Sequence, residues 1–130
     1  MYKYYLFVIK PEVAHIYRNN LKELGLNLYE LSSSKSNNVN YKISLFKQLC
    51  LPFKIQVIND YFKYLSYLKN NNNKYLYKSK QEISLIKLRY SVIIIYSNKI
   101  WPHFFNFFKI CNQNILVCDF INNKYFWLTK

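Results

Sequence analysis

The chain has 130 residues, about half of them hydrophobic and a fifth aromatic, with a formal net charge of +13. That length and apolarity exclude a disordered tail and allow one domain whose core needs neither a metal nor a disulfide. A single glycine excludes a Gly-rich phosphate loop or dinucleotide fingerprint, and the longest apolar runs, such as residues 91–97, are too short to span a bilayer.

Residues 2–9 (Tyr-Lys-Tyr-Tyr-Leu-Phe-Val-Ile) are dense in aromatic and β-branched types and predict a mostly buried strand. Pro11 and Glu12 suit the first turn of a helix, where a missing N–H costs nothing and an acid complements the dipole. The helix is predicted over 11–24, with Ala14, Tyr17, Leu21 and Leu24 on one face and Gly25 at its C-cap. Residues 26–31 are apolar but leave their type open, and 32–40 predict a polar loop. A short helix over 43–51 ends at Pro52. Residues 53–70 carry Ile55, Ile58, Phe62, Leu65 and Leu68 at helical spacing and predict a long amphipathic helix, ended by a solvated turn at Asn70 to Asn73. Residues 74–98 predict strands with a reversal near 89–91. Residues 100–110 predict a helix with Pro102 in its first turn. Residues 114–120 and 124–128 predict two strands joined by a turn. The order β-α-α-α-β-β-α-β-β implies a single α/β domain over 1–130, a mixed β-sheet flanked by helices.

The residues themselves offer little catalytic chemistry. The six carboxylates (Glu12, Glu23, Glu30, Asp60, Glu82, Asp119) make no recognisable pair, and the histidines, His15 and His103, are far apart. Cys50, Cys111 and Cys118 match no zinc or redox spacing and read as buried thiols in a reducing cytosol. No secretory signal opens the chain, which predicts a cytoplasmic location. The expectation is a protein without enzyme activity, cofactor, metal or small-molecule substrate. Of the 19 basic residues only Arg18 and Arg89 are Arg, and Asn matches Lys in abundance, a composition that AT-rich coding produces. The charge still favours acidic partners and salt-sensitive association, so a basic nucleic-acid-binding α/β domain stands as the alternative function.

Three stretches carry a resemblance. Residues 4–17 read Tyr-Tyr-Leu-Phe-Val-Ile-Lys-Pro-Glu-Val-Ala-His-Ile-Tyr, residues 47–49 read Lys-Gln-Leu, and residues 118–128 read Cys-Asp-Phe-Ile-Asn-Asn-Lys-Tyr-Phe-Trp-Leu. In this order, along the whole chain, they resemble the sporulation inhibitor of replication (SirA) family. The resemblance implies a protein made at the start of sporulation that binds the N-terminal domain (domain I) of the initiator DnaA, occludes its partner surface and blocks new rounds of replication. Carried onto this chain, it implies a partner-binding site of Val13, Ala14 and Tyr17 on the first helix, with Gln48, or Lys47 if the register slips by one, beside them. The residues alone favour a core role for Val13 and Tyr17; the resemblance favours Tyr17 as an interface anchor. Val13 stands where the family carries a larger aromatic, the helix exit Asn19-Asn20 differs from the family's Gly-containing one, and residues 70–80 depart from it locally.

Overall fold

A computed structural model describes residues 1–32 and 39–129. In chain order the elements are β1 (Tyr2–Ile9), α1 (Pro11–Ile16), α2 (Leu21–Ser32), α3 (Val39–Leu49), β2 (Cys50–Leu51), α4 (Ile55–Tyr64), β3 (Lys69–Asn71), β4 (Lys74–Lys78), β5 (Ile83–Leu88), β6 (Ile93–Ser97), α5 (His103–Phe108), β7 (Asn114–Asp119) and β8 (Lys124–Trp127). Most of the loop predicted over 32–40 lies outside the described residues.

The strands form one sheet in the order β3-β4-β5-β6-β1-β7-β8. Every pairing among the described residues is antiparallel, so the sheet is not mixed as expected. One edge of β1 pairs with β7. The other pairs with β6 through residues 2–6 and then with β2 at Val8 and Ile9. The apolar run of β1 is buried because both of its edges and both of its faces are covered.

Alternation along β1 divides the core in two. Leu6 and Val8 face a layer made by α4 and α5, where Phe62, Phe104, Phe105 and Phe108 are all buried. Phe7 and Ile9 face a second layer of α1, α2 and α3, with Leu24, Leu28 and Leu49. Among the described residues the fold is therefore helix–sheet–helix.

Several elements end where nonlocal contacts, rather than local pattern, decide. The helix predicted over 11–24 breaks at Tyr17 to Asn20. The Tyr17 carbonyl accepts the Asn20 N–H at 2.9 Å, and Asn20 then begins α2, its carbonyl accepting the Leu24 N–H. Two consecutive Asn favour such a break, since their side chains compete with the helix for backbone groups. Gly25 is consequently not a C-cap. It lies inside α2, where a Cβ would run into the Tyr125 ring of β8, so its lack of a side chain permits close helix–sheet approach. The helix predicted over 43–51 spans Val39–Leu49, because Cys50 and Leu51 leave it to pair with β1. The helix predicted over 53–70 stops at Tyr64. Leu65 is extended, and the asparagine run closes a β3–β4 hairpin with Asn72 and Asn73 at φ 47° and 63°. Leu68 still reaches the core, which is why it fitted the apolar spacing.

The terminal motif is structural in placement. Asp119 is buried, and its two carboxylate oxygens accept the Asn122 backbone N–H (3.2 Å) and side-chain amide (2.8 Å), which shapes the β7–β8 turn. Trp127 packs half-buried against the second core layer.

Candidate functional site

The apolar side of the first helix is committed to the core. Val13 is buried at 8% exposure, and Ala14 and Tyr17 lie half-buried against the same core layer as Leu24 and Leu28. The stripe at intervals of three and four is therefore the inward stripe. This corrects the expectation for Val13: it fills the core beneath α1 and presents almost nothing to a partner. Tyr17, at the C-cap, keeps part of its side chain at the surface. The outward side of α1 carries Glu12, His15 and Ile16, and Ile16 is 71% exposed. Ile16 is not among the residues that the sequence singles out, although its position off the apolar stripe is a legible sign of exposure.

The second predicted segment meets the first. The Lys10 N–H, at the entry to α1, donates to the Leu49 carbonyl at the end of α3 at 3.0 Å. Ile9 pairs with Cys50 just beside this bond. Lys47 and Gln48 are both exposed within the last turn of α3, next to that junction. Tyr17 lies seven residues beyond Lys10, about 10 Å along a helix axis. The junction therefore joins the start of α1 to Lys47 and Gln48, with Tyr17 and Ile16 at the far end of the same short helix.

A groove of about 820 Å³ opens beside the junction. Phe7, Phe46, Cys50 and Val92 line it with apolar surface, and Lys10, Lys42 and Lys47 are its basic residues. Among the described residues no carboxylate lines it. The size suits a buried apolar side chain or ligand, and the lysines favour an acidic neighbour. Burial pushes the Cys50 thiol from its ordinary 9.0 up to about 12, and burial likewise raises Cys118, so neither is a thiolate nucleophile at neutral pH. Among the described residues no group of three His, Cys, Asp or Glu side chains could hold a metal ion. No helix among them is long and apolar enough to cross a membrane.

No family model matches the chain, and no curated protein compared with it does.

Proposed function

We propose that the protein is a non-enzymatic cytoplasmic inhibitor of replication initiation during sporulation, which docks on domain I of DnaA through the surface shared by α1 and the end of α3. The reading rests on the resemblance of residues 4–17, 47–49 and 118–128 to the SirA family. The observation that carries it is the Lys10–Leu49 junction, because it brings together two of the stretches on which that resemblance depends. The anchors are Tyr17 and Ile16 rather than Val13. A Tyr with an adjacent aliphatic offers apolar area and a polar tip, the composition of an interface hot spot. Lys47 and Gln48 supply the polar rim, and occlusion of the partner surface needs no chemistry.

Isothermal titration of the protein with isolated DnaA domain I at low salt tests this. Binding is expected, and Ile16→Ser, at an exposed position, is expected to weaken it by about 1–2 kcal/mol without changing thermal stability. Tyr17→Ala should cost on the order of 2 kcal/mol of affinity. Absence of binding at low salt, or full affinity in both variants, overturns the reading.

A further inference from the structure

The helices α1, α2 and α3 cover only part of their side of the sheet. They pack on β7, β8 and the second half of β1, where Phe7, Ile9, Leu116 and Cys118 are buried. Toward β3 the same face is uncovered: Leu76, Leu85 and Lys87 are half-buried, and Lys69, Lys74, Lys78 and Ile83 are exposed.

Register shows what this open face carries, since directly opposed residues point the same way. One row runs Tyr5–Ile94–Lys87–Lys74 across β1, β6, β5 and β4, with Tyr5 and Ile94 at the margin of the helix-covered core and Lys87 and Lys74 beyond it. The next runs Lys3–Tyr96–Leu85–Leu76–Lys69 from β1 to β3. Lys78, opposite Ile83, begins a third. Five strands at about 4.8 Å spacing make the face about 19 Å wide.

None of the six carboxylates lies on it. Asp119 and Glu82 turn to the opposite side, Glu82 accepting the Ser84 hydroxyl and, at 2.8 Å, the His103 N–H. Asp60 rides on α4 across the sheet, and Glu12, Glu23 and Glu30 ride on α1 and α2. Lys74 and Lys87 stand directly opposite one another, an arrangement of like charges that costs stability and that a bound anion relieves. The aromatic rings sit among the charges. The Lys3 ammonium lies 5.0 Å from the Tyr5 ring centre and 5.4 Å from that of Tyr96, and Lys87 lies 5.0 Å from Tyr96.

We infer that this open face binds single-stranded nucleic acid, with Lys3, Lys69, Lys74, Lys78 and Lys87 neutralising phosphates and Tyr96, half-buried among them, supplying a surface on which a base stacks, while Tyr5 backs it from the edge of the helix-covered core. An aromatic platform inside a basic field is the general solution for single strands, and it tolerates any sequence because every base has a π-face. Duplex DNA fits less well: the face is wider than a major groove of about 12 Å and cannot enter it. The inference does not depend on the proposed docking of DnaA.

Fluorescence anisotropy with a labelled oligothymidylate, a matched duplex and phosphatidylglycerol vesicles, over a salt series, tests the inference. The single strand should bind most tightly, its log–log salt slope growing by about 0.7 per phosphate contacted. Lys74→Glu with Lys87→Glu should lower affinity at least tenfold and reduce the slope by about 1.4. Lys54→Glu with Lys63→Glu, on α4 across the sheet, should leave the slope unchanged. Tyr96→Ala should cost roughly tenfold while Tyr96→Phe keeps binding. Lys69→Gln with Lys78→Gln repeats the test at exposed positions where folding is not at issue. Equal losses from the two sides of the sheet, preference for vesicles or duplex, or no oligonucleotide binding at low salt each overturn the inference.

Discussion

Gly25 shows how one residue can serve a contact far from it in sequence. In α2 it has ordinary helical backbone, where alanine would be favoured by roughly 1 kcal/mol. The Tyr125 ring occupies the space that a Cβ would take. Overpacking of that kind costs about 1–3 kcal/mol. Gly25→Ala is therefore expected to lower stability by about 1 kcal/mol in urea titration, and to be neutral or stabilising once Tyr125→Ala has removed the ring. A glycine immediately after the last residue of an apolar helical stripe resembles a cap in sequence; only the strand packed above it shows that the reason is space.

At the scale of elements, the four asparagines are a hairpin device rather than a simple stop. Asn72 and Asn73 both adopt left-handed backbone, which two-residue hairpin turns require and which Asn tolerates better than other side chains. Asn73 does more than turn the chain. Its side-chain oxygen accepts the Asn59 amide at 2.7 Å, and its carbonyl accepts the Leu88 N–H at 2.8 Å, tying the hairpin to α4 and β5. Tyr75 completes the network with a hydroxyl that donates to the Asn59 side-chain oxygen at 2.8 Å. Asn72→Ala is expected to cost about 1 kcal/mol in thermal or urea unfolding, whereas Asn72→Gly should stay within about 0.5 kcal/mol of the parent. The α5 helix makes the same point about distance. Pro102 at its N-cap offers no side-chain bond, and Glu82 from the start of β5 reaches the His103 N–H instead.

At the scale of the molecule, the two core layers share a sensitivity to alkali. Burial raises Tyr4 to about 12 in the layer under α4 and α5, while Cys50 at about 12 and the raised Cys118 lie in the other layer. Below pH 9 both folded and unfolded chains keep these protons, and the stability is fully present. Above it the unfolded chain releases them first, its thiols near 9 and its tyrosine near 10, so it binds fewer protons than the folded chain and stability falls as pH rises toward 12. Urea midpoints measured from pH 8 to 11 should decline, and the decline should be shallower in Cys50→Ala, which removes one of the responsible groups. The comparison of the two proteins isolates the thiol from the loss of lysine charge over the same range. Function divides at this scale as well. The docking surface proposed for DnaA gathers at the α1–α3 junction, while the basic face runs across the sheet from β3 to β1.

Residue order alone determined the existence of the buried strand β1, of helices in the α1, α3, α4 and α5 segments, of strands within residues 74–98 and of the β7–β8 pair, because each is written in a local pattern of residues. Tertiary structure decided the rest. Whether Leu68 continued a helix or followed it depended on a hairpin partner, whether Gly25 was a cap or a clearance depended on Tyr125, and whether Val13 faced out or in depended on a sheet assembled from strands at both ends of the chain. The same holds for surface charge: the lysines are visible one by one in the sequence, but their alignment in rows beside Tyr5 and Tyr96 exists only through cross-strand register, which is a property of paired backbones and not of any single segment.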